Sequence, residues 1–144
     1  MGLESSHENP AVALCVQADH LPPAEQERVL DAGYELAEAA VAANDADAHA
    51  YFALFCNLGK KLRLSGVSFG SLEMVKKVKR AIDAALRLDP TNSEFLTAKG
   101  VLLIELPRWL GGDRERGAQL LRRSLKLDPA NRTALEQLRE LEND

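Results

Sequence analysis

The sequence predicts an all-α fold of about seven helices, and three observations lead to that prediction. Alanine and leucine dominate the 144 residues, whereas aromatic residues make up only 5%, which is typical of helical proteins. The prolines fall mostly where helices would begin or end. Two stretches 39 residues apart, 85–92 (ALRLDPTN) and 124–131 (SLKLDPAN), are near copies of each other. Self-similarity at this period indicates a helical repeat array.

Apolar periodicity and capping residues place the helices in order. Asn9 and Pro10 start the first helix, acidic residues occupy the first turn of the second, and Asp113 caps the sixth. The predicted helices cover about 10–20, 22–44, 47–64, 72–88, 92–106, 113–127 and the residues from 131 onward. Residues 1–9 are expected to be a flexible N-terminus, and residues 10–144 a single helical repeat domain.

A third, degenerate copy of the repeat lies upstream. Residues 33–45 align with 78–90 and with 117–129 when the same register is carried back by 45 residues. Small residues such as Gly33 and Ala40 then coincide with small positions of the later copies. Leu36, Ile82 and Leu121 are predicted to fill the space between helices on the same face.

The helix-turn-helix units and the terminal Leu-Asp-Pro-x-Asn resemble the tetratricopeptide-repeat family over residues 24–142. The loop 106–113 and the lysine-rich helix leading into 81–86 look like two branches of it, the regulators of microtubule dynamics and the repeat proteins associated with TRAP-type solute transporters. The resemblance implies three helix pairs plus a C-terminal capping helix in a right-handed superhelical stack. It also implies a non-enzymatic scaffold that binds protein or peptide partners.

The family pattern further implies a concave, mostly apolar groove suited to an extended peptide, a helix or an acyl-like ligand. An equally weighted alternative is that so short a stack covers its groove with its own terminal helix. Trp109, in the inserted loop, either contacts a ligand or anchors the loop, and anchoring is favoured. The predicted partner-binding residues are His49, Phe52, Cys56, Lys60, Glu94, Thr97, Val101, Ile104 and Trp109.

Charge is distributed unevenly along the chain. The first fifty residues carry ten acidic and one basic residue, whereas the rest carry seventeen basic and twelve acidic ones. Such a basic region either docks an acidic protein, an anionic surface or the acidic half of another copy, or is simply a set of solvated helix faces. Nucleic acid is not expected, because aromatic residues do not alternate with the basic ones. The predicted basic patch consists of Lys60, Lys61, Arg63, Lys76, Lys77, Lys79 and Arg80.

No catalytic or metal-binding constellation is recognisable. His49 and Cys56 lie two helical turns apart on one face, which gives too few ligands, too widely spaced, for zinc. No cofactor is predicted. Cys15 and Cys56 are expected to be buried thiols rather than a disulfide, which fits a cytoplasmic location, and no segment has the apolar length of a membrane span.

Three functions remain open. The leading one is the protein-binding scaffold. The second is a small-molecule or lipid-binding accessory protein like the transporter-associated relatives, which would need a closed apolar cavity and an export signal outside this sequence. The third is a homo-oligomeric assembly module, in which the acidic half docks on the basic middle of another copy.

Overall fold

The computed structural model describes residues 9–143, within which the chain forms seven α-helices and no β-strand. The predicted all-α class is therefore confirmed, and the helix ends lie close to the predicted ones. The helices are α1 (Pro10–Ala18), α2 (Pro23–Ala43), α3 (Ala48–Ser65), α4 (Leu72–Leu88), α5 (Ser93–Glu105), α6 (Arg114–Leu127) and α7 (Arg132–Glu142). Apart from Asn9, the segment predicted to be flexible lies outside the described residues.

Side-chain caps determine where most of the helices begin. An Asn or Asp oxygen accepts a hydrogen bond from a backbone N–H of the first turn, which stabilises a helix by about 1 kcal/mol. Asn92 and Asn131, the last residues of the two Leu-Asp-Pro-x-Asn stretches, cap α5 and α7 in the same way, so the repeated sequence produces the same helix start twice. The capping residues are Asn9, Asp47, Asn92, Asp113 and Asn131.

The chain divides into two compact units, and each is described by itself. The first unit ends at Leu88 and contains α1 to α4. In it, α2 packs against both α1 and α3, α1 also contacts α3, and α4 packs against α3. Burial of these faces removes apolar surface from water, the main stabilising term in folding. Its most deeply buried large apolar side chains are Val12, Leu30, Val75, Val78 and Ile82.

The second unit begins at Asp89 and contains α5 to α7. Here α6 packs against both α5 and α7, and α5 also touches α7. One cluster consists of Ala118, Leu121, Ala134 and Leu138, which joins the inner faces of α6 and α7. Phe95 of α5 is completely buried as well. Three short helices thus share a core.

Leu36 departs from the predicted packing. Its side chain is 46% exposed, and the adjacent Ala37 is completely buried instead. The buried residues of α2 are Leu30, Gly33 and Ala37, which follow helical spacing. Leu36 is offset from Ala37 by one residue, or about 100° around the helix axis, and so points away from this stripe. The prediction that Leu36 fills the core was wrong.

The two cysteines also differ from expectation. Cys15 of α1 and Cys56 of α3 form a disulfide, so the prediction of two reduced thiols was wrong. The pairing arises because α1 packs against α3, which places the two Cα atoms 6.1 Å apart, within the range that a disulfide can bridge. The sequence did not reveal this neighbour relationship, since the cysteines are separated by 41 positions.

Candidate interaction surfaces

Two of the predicted groove residues of α3, Cys56 and Lys60, contact α1 and the residue that follows it. Cys56 is bonded to Cys15 of α1. Lys60 donates from Nζ to the Cys15 carbonyl oxygen at 2.8 Å and to Asp19 Oδ2 at 2.9 Å. Phe52 is only 7% exposed, and His49 is half-buried at the start of the helix. α1 therefore covers part of this face and holds it by a covalent bond, a hydrogen bond and an ion pair.

Asn57, next to Cys56, is a buried polar residue that the sequence prediction missed. Its side-chain Nδ2 donates to the Ala11 and Ala53 carbonyl oxygens, both at 2.9 Å, while its Oδ1 accepts no hydrogen bond from the described residues. The backbone of Gly33 packs directly on this amide, where any side chain would collide with it. α1, α2 and α3 therefore meet at one side chain. The sequence signal for this site was an asparagine within an apolar stretch of helix. A buried side-chain amide normally needs a hydrogen-bond partner, so its position indicates a contact with another part of the chain.

Three of the predicted groove residues of α5 pack inside the second unit. Val101 and Ile104 pack against the α6–α7 cluster, and Thr97 is only 5% exposed. Glu94 lies in the first turn of α5 and is half-buried. These side chains of α5 are therefore engaged in the packing of the second unit.

Thr97 belongs to a buried network of hydroxyl and amide groups that joins α5, α6 and the start of α7. Ser124 Oγ lies 2.7 Å from both Thr97 Oγ1 and Ser93 Oγ, and it donates to the Ser93 carbonyl oxygen at 2.8 Å. Asn131 Nδ2 donates into the same group, at 2.9 Å to Thr97 Oγ1 and 3.0 Å to Ser124 Oγ. A fully paired network of this kind holds its helices in one register. The role of this network is structural, and the hydroxyl of Thr97 is already hydrogen-bonded within it.

Trp109 lies in a short 3₁₀ turn, Arg108–Leu110, between α5 and α6. Its side chain is 54% exposed, whereas the adjacent Leu110 is 5% exposed. Leu110 is thus the more deeply buried of the two. The turn closes at Gly111, whose φ of 96° is left-handed and favours glycine, and Asp113 then caps α6, as predicted.

Two cations of the predicted basic patch are neutralised within the first unit. Lys60 pairs with Asp19, and Lys61 lies 2.6 Å from Asp31 Oδ1 and above the ring of Tyr34. Burial raises the pKa of the Tyr34 phenol, and the hydrogen bond that it donates to Glu38 raises that pKa further. These lysines hold α3 against its neighbours, so they add little to an outward positive field.

The remaining cations of the patch lie mainly on α4. Lys76 is half-exposed and lies 3.5 Å from Glu73 one turn earlier, a surface pair of small energetic value. Lys77 and Arg80 are exposed and form no ion pair with a described residue, and Lys79 is half-buried. Arg63 is exposed in the last turn of α3. Within the predicted patch, the exposed cations without an ion-pair partner among the described residues therefore include two neighbours on the outer face of α4.

The described residues contain no cluster of three or more metal-ligating side chains, and none of their helices is long and apolar enough to cross a membrane. No protein-family model and no curated protein matches this sequence. The tetratricopeptide resemblance consequently rests on the residues of the chain itself.

Proposed function

We propose that this chain is a non-enzymatic interaction module of the tetratricopeptide type that binds an acidic segment of a protein partner through the outer face of α4. The observation that carries the proposal is the exposure of Lys77 and Arg80, two neighbouring cations without an ion-pair partner among the described residues. Complementary charge speeds association and selects partners.

The repeated stretches support the scaffold class. In both copies a helix ends at the leucine, at Leu88 and Leu127, and the next helix is capped by the asparagine four residues later. Two copies of a helix-turn-helix connection within one chain are typical of repeat scaffolds, whose usual role is binding.

The predicted groove residues already make contacts within the protein, which favours the basic face of α4 over an apolar groove as the binding surface. The disulfide, the Lys60 contacts and the Thr97 network would have to be displaced before a ligand could occupy those positions. A partner that uses α4 displaces none of them, because binding there replaces only solvent around exposed side chains.

Charge reversal tests the proposal. The double variant Lys77→Glu/Arg80→Glu is compared with Arg122→Glu/Arg123→Glu, a matched pair of exposed cations on α6. Proteins captured from native lysate by the wild type should be lost from the α4 variant and retained by the α6 variant, and their capture should weaken as salt is raised. Equal capture by both variants would refute the proposal.

A second candidate function is favoured by the disulfide. Disulfides persist in oxidising compartments and are rare in the cytosol, so Cys15–Cys56 favours an exported location over the predicted cytoplasm. An accessory protein of the kind associated with solute transporters would work in such a compartment. Localisation of a tagged native protein by fractionation separates the two candidates, since recovery in the cytosol with free thiols would eliminate the exported one.

A further inference from the structure

The connection between α3 and α4 exposes an unusual amount of apolar surface. Its four large apolar side chains are 41–86% exposed, and Phe69 at the tip is 86% exposed. Single exposed apolar residues are ordinary, whereas a group of them within one short segment marks an interaction site. We name residues 64–72 the apolar loop; it contains no charged residue. Its exposed apolar side chains are Leu64, Val67, Phe69 and Leu72.

The apolar loop is held in shape by its own hydrogen bonds. Ser71 Oγ accepts from the Ser68 N–H at 3.0 Å and lies 3.3 Å from the Gly66 carbonyl oxygen, to which it donates. The Ser71 N–H donates to the Ser68 carbonyl oxygen at 3.0 Å, and the Gly66 N–H to that of Leu62 at 2.9 Å. Backbone groups paired in this way are less costly to remove from water. The fold thus presents Phe69 on a loop that is braced by hydrogen bonds between its own residues.

Cations flank the apolar loop on both sides. Arg63 immediately precedes it, and Lys76 follows Leu72 by four residues, which places the two on the same face of α4. Glu73 is the only acidic residue within four positions of either end of the loop. An apolar tip with basic residues beside it matches the two layers of an anionic bilayer, acyl chains beneath and phosphate groups above.

We propose that the apolar loop docks this protein on an anionic phospholipid membrane, with Phe69 and Leu72 entering the interface and Arg63 and Lys76 contacting lipid phosphates. A second copy of the chain fits this surface less well, because a symmetric loop-to-loop contact would bring the same cations of both copies together. An anionic lipid surface supplies negative phosphate groups just above the acyl chains, where the cations beside the loop would lie. This docking depends on the apolar loop, whereas the binding of an acidic partner depends on Lys77 and Arg80.

Vesicle co-sedimentation tests the proposal with the full-length protein. Wild type should bind vesicles of equal parts phosphatidylcholine and phosphatidylglycerol and bind phosphatidylcholine alone much less. Phe69→Ser should weaken binding by roughly tenfold or more, because it removes the largest apolar contact. Leu36→Ser, which changes another exposed apolar residue of the same unit, should bind like wild type.

Several results would overturn the proposal: no binding by wild type, equal binding by Phe69→Ser, equal loss with Leu36→Ser, or equal binding to the neutral vesicles. A change in oligomeric state of Phe69→Ser in light scattering without lipid would assign the surface to a second copy instead. Because Phe69 is exposed, the variant should retain the circular dichroism melt of wild type.

A fluorescent reporter locates the tip directly. In a Trp109→Phe background, Phe69→Trp should shift its emission to the blue on adding anionic vesicles and should be quenched by lipids brominated in the acyl chain. Unquenched emission from vesicle-bound protein would place residue 69 outside the bilayer and overturn the proposal. Phe69→Ser leaves Lys77 and Arg80 unchanged and should still capture the acidic partner while losing vesicle binding, so failure of the partner-binding proposal can be distinguished from failure of this one.

Discussion

The backbones of Gly100 and Gly117 face each other where α5 crosses α6. A Cβ atom on Gly100 would lie 2.9 Å from the Gly117 carbonyl oxygen, and a Cβ on Gly117 would lie 2.7 Å from the Gly100 carbonyl oxygen. Both distances are below those of ordinary carbon–oxygen contact. The second unit therefore depends on two glycines that allow α5 and α6 to touch through their main chains.

Alanine at either glycine should destabilise the protein. Alanine is the better helix former by about 1 kcal/mol, but the collision should cost about 1–3 kcal/mol as the helices separate. Gly59→Ala is the matched control, because a Cβ there meets nothing within 4 Å; it should be neutral or stabilising. Urea unfolding measures all three variants. If Gly100→Ala and Gly117→Ala were as stable as Gly59→Ala, the close approach would be incorrect.

The amide of Asn131 should contribute more to stability than the equivalent amide of Asn92. Both residues cap a helix, but Asn131 also donates to the buried hydroxyls of Thr97 and Ser124, whereas Asn92 donates to Asp89. Asn131→Ala should therefore cost about 1–2 kcal/mol more than Asn92→Ala, the penalty for leaving buried groups unpaired. Equal costs in thermal unfolding would show that the network adds nothing beyond the cap.

A charge at the shared small position of the repeats should be severely destabilising. Ala85 and Ser124 are both completely buried, so Ala85→Glu or Ser124→Glu would place an unpaired carboxylate between helices. The expected loss is several kcal/mol, out of a typical total of about 5–15 kcal/mol. Ala39→Glu, on the exposed side of α2, is the control. Melting of either buried variant at the wild-type temperature in circular dichroism would contradict the repeat register.

Removal of the disulfide should lower the stability of the first unit. Loss of a cross-link that closes a 41-residue separation should cost about 2–4 kcal/mol, chiefly through the unfolded state. Adding reductant should lower the wild-type melting temperature and leave Cys15→Ala/Cys56→Ala unchanged. Intact mass spectrometry without reductant should show the loss of two hydrogen atoms. Free thiols in the purified native protein would contradict the bond.

Local sequence signals predicted the helices well, for reasons visible at particular residues. Each N-cap side chain accepts a hydrogen bond from a backbone N–H only three positions later, as at Asn92, Asp113 and Asn131. Such caps can therefore be recognised from the local sequence, before the tertiary structure is known. Leu36 was misplaced because the alignment of the repeats pairs Ala37, not Leu36, with Ile82 and Leu121, and a shift of one residue on a helix changes the face.

Contacts between distant positions could not be predicted in the same way. Cys15 meets Cys56, and Asn131 meets Ser93, only after separate helices have packed together. The basic patch shows the same limit. The sequence showed seven cations in this patch, but it could not show that Lys60 pairs with Asp19 and Lys61 with Asp31.

We expect a partner to bind the outer face of α4 and not the covered face of α3. Site-specific photo-crosslinking distinguishes the two faces, with the photoreactive residue placed at Glu73, at His49, or at Arg123 as a control on α6. Glu73 is exposed about one turn before Lys77, so its replacement leaves Lys77 and Arg80 intact. Crosslinked partner is expected from position 73, with little from positions 49 and 123. Crosslinking from position 49 but not from position 73 would refute binding at α4 and place the partner on the predicted groove.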